Sequence, residues 1–148
     1  MWAALRTILG MRPAKLHHVV FCVRPENHDA AAALWRDLGV DLQDFPLEEE
    51  GLRVLLDWSA GIEVISPAEQ EGTETARFRA WLDEHGEGVY SVVVRTIGVE
   101  GAVSALAAHG MEVQYRQHRE HGERILDEVD LSPAFGMPLT LLSTNTPD

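Results

Sequence analysis

Leu16-His17-His18-Val19-Val20-Phe21-Cys22-Val23 and Gly61-Ile62-Glu63-Val64-Ile65-Ser66-Pro67 are apolar, β-branched runs that carry acid–base or ligand-type side chains, His18 in the first and Glu63 in the second. Runs of this kind read as buried strands. The second half repeats the pattern with hydroxyls instead. Ser91 stands in Val89-Tyr90-Ser91-Val92-Val93-Val94 and Thr140 in Leu139-Thr140-Leu141-Leu142. The separations are similar, 45 residues from His18 to Glu63 and 49 from Ser91 to Thr140. The chain reads as a duplicated module in which one copy holds the ligand-type side chains.

Working outward, Pro25-Glu26-Asn27 opens a helix whose apolar stripe is Ala31, Leu34, Trp35 and Leu38, and Gly39 ends it. Residues 40–45 read as a weak strand and Glu48-Glu49-Glu50-Gly51 as a turn. Residues 52–58 and 62–65 form a hairpin around Ser59-Ala60-Gly61. After a linker from Pro67 to Thr75, a helix over 75–85 carries Phe78, Trp81 and Leu82 inward and closes at Gly86. Strand 89–95 follows, then helix 99–109 stopped by Gly110, then strands 112–115, 125–130 and 138–142. Both halves are β-α-β-β-β, and a repeat of this length is an architectural signal. The expected fold is α+β, two tandem βαβββ modules forming a curved mixed sheet around a cleft. Residues 1–14 read as an N-terminal extension, and 15–146 as a single domain with modules over 15–67 and 75–144. His18, Glu63, Ser91 and Thr140 hold matching positions in the two copies.

The 148 residues suffice for one domain with a sizeable core. A formal net charge of −12 argues against a nucleic-acid partner, which needs clustered Lys and Arg to neutralise phosphates. The single cysteine, Cys22, allows no disulfide within the chain and suits a reducing cytoplasm. It shares the face of His18 and reads as a buried, inert thiol. The apolar opening over residues 1–10 is too short to span a bilayer and lacks a secretory pattern, so no membrane role is expected.

Four segments resemble the vicinal oxygen chelate superfamily, which includes glyoxalase I, bleomycin-resistance proteins and extradiol dioxygenases, and within it methylmalonyl-CoA epimerase most. They are Lys15-Leu16-His17-His18-Val19, Ile62-Glu63-Val64-Ile65-Ser66-Pro67, Phe78-Arg79-Ala80-Trp81-Leu82-Asp83-Glu84-His85-Gly86-Glu87-Gly88-Val89 and Phe135-Gly136-Met137-Pro138-Leu139-Thr140-Leu141. The resemblance implies a glyoxalase-like fold and a divalent metal held by four residues. His18 matches the first ligand and Glu63 the second. Ser91 stands where the third is usually His, and Thr140 where the fourth is usually Glu. In the epimerases that fourth residue is also one of two acid–base groups, and the other falls at Glu49.

One His and one carboxylate are short of the three protein ligands a catalytic zinc usually has. The pair is therefore read either as a structural histidine hydrogen-bonded to a carboxylate, or as an activated general base. Glu63 and Glu49 are the candidate catalytic residues, His18 and Glu63 the remnant metal ligands, and Ser91, Thr140 and Arg95 the candidate substrate contacts. Arg95 shares the face of Ser91 by alternation and suits a carboxylate or phosphate, or else is an exposed strand end. His118 and His121 lie in a charged stretch read as a solvated hairpin loop, with metal binding the alternative. The leading reading is a cytoplasmic, homodimeric, metal-independent small-molecule-binding protein or enzyme that needs no cofactor. The alternatives are a metal-dependent isomerase, epimerase or lyase acting on an acyl-CoA or related organic acid, and a drug-sequestering resistance protein.

Overall fold

The computed structural model describes residues 14–147. These residues fall into two compact units, 18–91 and, together, 14–17 with 92–147. Element order is β1 (Lys15–Cys22), a 3-10 turn (Pro25–Asn27), α1 (His28–Asp37), β2 (Gln43–Asp44), β3 (Leu52–Asp57), β4 (Ile62–Pro67) and α2 (Thr75–His85). It continues with β5 (Gly88–Arg95), α3 (Val99–Ala107), β6 (Val113–His121), β7 (Arg124–Ala134) and β8 (Met137–Thr144). The chain is thus α+β with two tandem βαβββ modules.

In the unit 18–91 the strands run β2-β3-β4-β1. β1 lies parallel to β4, with Val20 opposite Glu63 and Cys22 opposite Ile65, while β3 is antiparallel to β4 with Leu56 opposite Glu63. Side chains alternate across a sheet, and α1 covers the face carrying Leu55 and Val64, where Ala32 and Leu42 complete a buried cluster against Trp35 and Ile62. His18 and Glu63 take the other face. α2 forms because Phe78 and Leu82 recur on one face and are buried. Gly86, at φ 73, returns its N–H to the Leu82 carbonyl. The turn before β3 is clasped to the start of α2. Thr73 and Glu74 donate their N–H groups to the Glu49 and Glu50 carbonyls, each at 3.0 Å. Thr75 Oγ1 donates to the Gly51 carbonyl at 3.0 Å. Backbones approach so closely here that only glycine fits at positions 51 and 72.

The other unit takes up β5 from Val92 onward, and its order is β5-β8-β7-β6. β5 runs parallel to β8 with Val93 opposite Thr140, and β7 is antiparallel to β8 with Asp130 opposite Thr140. Helix α3 covers one face, burying Val99, Met111, Val129, Leu131 and Leu141 together. Asp130 and Thr140 occupy the opposite face.

The structure corrects three local expectations. The stretch 116–124 is no loop: β6 and β7 pair through it from Arg116↔Val129 to His121↔Arg124. Polar and charged residues fill both faces of β6 from Arg116 onward, which hides a strand from any search for apolar runs. The weak strand expected over 40–45 reduces to Gln43–Asp44. Helix α3 ends at Ala107, two residues early. No helix among the described residues is long and apolar enough to cross a membrane.

Candidate functional site

The parallel register of β1 and β4 brings His18 beside Glu63. His18 Nε2 lies 3.2 Å from Glu63 Oε2, with His18 2% exposed and Glu63 17%. Trp58, just beyond β3, stacks on the imidazole with ring centroids 5.8 Å apart and planes at 24°. The ring is thus fixed by a hydrogen bond at one edge and an aromatic face beside it. The carboxylate, in contrast, keeps access to water. A buried imidazole that orients a solvent-reaching carboxylate holds that carboxylate in one position, as proton transfer from a bound ligand requires.

The metal implied by the resemblance does not fit the donor set. His18 turns Nε2 onto Glu63, and the remaining two positions offer only the hydroxyls of Ser91 and Thr140. No three His, Cys, Asp or Glu among the described residues form a group able to hold an ion. That falls short of the three protein ligands of a catalytic zinc.

Ser91 is 4% exposed on β5. Thr140 is equally buried on β8, and its Oγ1 donates to Asp130 Oδ1 at 2.8 Å. Asp130 is an acid inside the apolar run Val129-Asp130-Leu131. Arg95 turns its guanidinium to its own chain end, Nη2 donating to the carbonyls of Thr144 at 3.1 Å and Thr146 at 2.8 Å. Glu49 is exposed in the turn before β3, where its backbone carbonyl, not its carboxylate, makes the clasp to Thr73.

His118 and His121, three apart on a strand, point to opposite faces and share no ligand. His118 instead sits between Asp127 Oδ1 at 2.5 Å and Glu120 Oε1 at 3.0 Å, and these carboxylates raise its pKa above the usual value. Cys22 is fully buried. Burial, helped by the nearby Glu87 carboxylate, pushes its thiol up to about 12, which leaves no thiolate near neutrality. A second buried pair was not foreseen: Ser66 Oγ lies 2.6 Å from His28 Nδ1, with both residues out of solvent. Burial, and then the Arg53 guanidinium, lowers the His28 pKa, so the imidazole is held neutral in the core.

No family model matches the chain, and no curated protein matches it. Solved structures do. A hypothetical protein from Bacillus halodurans C-125 superposes with a TM-score of 0.70 at 16% identity, covering 93% of this chain and 99% of its own. A Streptomyces coelicolor methylmalonyl-CoA epimerase variant, solved with 2-nitronate-propionyl-CoA, gives 0.64 at 20% identity, covering 89% and 98%. The methylmalonyl-CoA epimerase from Mycobacterium tuberculosis gives 0.62 at 20% identity, covering 90% and 89%. The chain therefore has the glyoxalase-like fold of the vicinal oxygen chelate proteins.

Proposed function

We propose that this protein is a metal-independent member of the vicinal oxygen chelate superfamily, working as a cytoplasmic homodimer. It binds an organic acid or acyl thioester and moves a proton at the carbon next to the carbonyl. Glu63 is the base and His18 its positioning residue. The observation that carries this reading is the hydrogen bond between a buried imidazole and a carboxylate that reaches solvent. The fold is consistent with it, since neighbours of the same fold are methylmalonyl-CoA epimerases, and solved complexes of that enzyme contain methylmalonyl-CoA or 2-nitronate-propionyl-CoA.

In the proposed step the Glu63 carboxylate takes a proton from the ligand's α-carbon. The C–H electron pair becomes the enolate double bond, and the carbonyl oxygen takes the negative charge. Return of a proton from the same carboxyl restores the ligand. General-base catalysis of this kind contributes roughly 10²–10⁴-fold. The test uses racemic methylmalonyl-CoA in D2O with chelator-treated protein, following deuterium at the α-carbon by mass spectrometry. Wild type labels the probe faster than the protein-free control, and Glu63→Gln leaves at least one configuration unlabelled. Labelling unchanged by Glu63→Gln refutes the assignment.

A further inference from the structure

We infer that the unit 18–91 carries a second ligand site, a groove between α1, β1 and the Gly86-Glu87-Gly88 turn that takes a small amphipathic cation. The class is an aromatic or alkyl body bearing one ammonium group. The site lies wholly within this unit and is independent of the proton-transfer reading. Side chains alternate along β1 and β4, so Phe21 and Val64 point toward α1, away from the face of His18 and Glu63. The groove encloses about 470 Å³, within the range of roughly 300–1,000 Å³ typical of small-molecule sites. Small side chains at Ala30 and Ala31 leave the gap between helix and strand open. Leu34, on its wall, stays 57% exposed, which leaves apolar surface for a ligand to cover.

Two features of the lining select a cation. The Phe21 and Trp35 rings stand with centroids 5.2 Å apart and planes at 42°, and an indole or phenyl face attracts positive charge. Glu87 supplies the second, as the charged residue of the lining. Its Oε2 accepts from the Arg24 backbone N–H at 2.9 Å, and both its oxygens lie 3.0 Å from Asn27 Nδ2. These donors are neutral, so they fix the carboxylate in place without cancelling its charge. The Arg24 guanidinium turns to Asp83 instead, 4.0 Å away. The same donors, Arg24 N–H first, hold the Glu87 carboxyl below the usual range, and its field helps to raise the Cys22 thiol. A fixed carboxylate at the mouth of an apolar, aromatic-walled groove favours an apolar cation and repels an apolar anion. The net charge of −12 acts in the same direction.

The test titrates full-length protein with benzyltriethylammonium, beside neutral N,N-diethylbenzamide and anionic butylbenzoate, and follows amide NMR shifts. The cation is expected to bind with a Kd of about 1 mM or tighter, from the usual yield per atom of drug-sized ligands. Shifts should centre on Asn27, Ala30, Ala31 and Gly88, and the anion should not bind. Glu87→Gln, which keeps an oxygen for Arg24 and Asn27, should weaken the cation about threefold to fivefold and leave the neutral probe unchanged. Ala30→Leu, which fills the groove from an exposed helix position, should remove both. Urea midpoints confirm that the two variants stay folded. Absence of saturable cation binding up to about 20 mM overturns the inference. So does binding that Glu87→Gln and Ala30→Leu leave unchanged. If Trp2→Ser or simple dilution shifts these amides and the cation does not, the groove belongs to residues 1–13 or to a second copy, and the inference is overturned.

Discussion

Uncoupling His18 from Glu63 has a cost that can be worked from the structure. The bond spans 3.2 Å between an imidazole 2% exposed and a carboxylate 17% exposed. A hydrogen bond to a charged group contributes about 1.5–3 kcal/mol, against about 1 kcal/mol for a neutral one. The two ends are unequal when the partner is removed. Glu63→Leu removes a hydrogen bond from an imidazole that water cannot reach to replace it, and a loss of that kind costs about 1–3 kcal/mol. His18→Phe keeps a ring against Trp58 and leaves a carboxylate that still reaches solvent, so it costs less. A double-mutant cycle of wild type, His18→Phe, Glu63→Leu and the pair isolates the coupling. Its assay is urea unfolding followed by tryptophan fluorescence at pH 7.5. We expect a coupling of about 1.5 kcal/mol. With a urea slope of about 1–3 kcal/mol per molar, that amounts to a midpoint difference near 1 M. A coupling below about 0.5 kcal/mol would show that the bond does not hold the carboxylate, and the functional reading of the pair would lose its basis.

Gly51→Ala is expected to destabilise by about 3 kcal/mol or more, from left-handed strain plus a clash, because Gly51 has φ +68 and an added Cβ would sit 2.1 Å from Thr75 Oγ1 and 2.2 Å from Gly72 N. A urea midpoint within about 0.3 M of wild type would contradict the clasp. Ser66→Ala removes the partner of buried His28 and should cost about 1–3 kcal/mol. Because the folded pKa of His28 is lowered, its contribution is fully present above the unfolded value of about 6.5 and declines as pH falls below it toward the folded value. Wild type should therefore lose more stability between pH 7.5 and 5.5 than His28→Gln does, and identical slopes would refute the assignment. Cys22, with its thiol near 12 and no exposure, should resist iodoacetamide at pH 8 in the native state and react fully in urea. Rapid native alkylation, scored by mass, would overturn its burial.

What could be read from the sequence follows the physics of each element. Helix α2 is legible over Thr75–His85 because Phe78 and Leu82 share a face and Gly86 supplies the closing conformation. The duplicated βαβββ order is legible because β1, β4, β5 and β8 are apolar on both faces. β6 is not: Arg116, His118 and Glu120 alternate outward on an edge strand, where apolar periodicity is absent and charges discourage further pairing. The His18–Glu63 pair can be anticipated because each lies inside an apolar, β-branched run. The Asp130–Thr140 hydrogen bond cannot be anticipated the same way, because it comes from register across a hairpin. Alternation along β5 leaves Arg95 open between a cleft contact and a strand end, and its bonds to the Thr144 and Thr146 carbonyls come from the fold.

The central claim is that Glu63, held by His18, moves a proton without a metal. Deuterium wash-in to racemic methylmalonyl-CoA by chelator-treated protein, beside samples given Mn, Co, Ni, Fe or Zn ions, tests it directly. The predicted result is labelling that needs no added ion and that Glu63→Gln removes from at least one configuration, with the variant still folded. Labelling that appears only after an ion is added, or that survives Glu63→Gln unchanged, would contradict it.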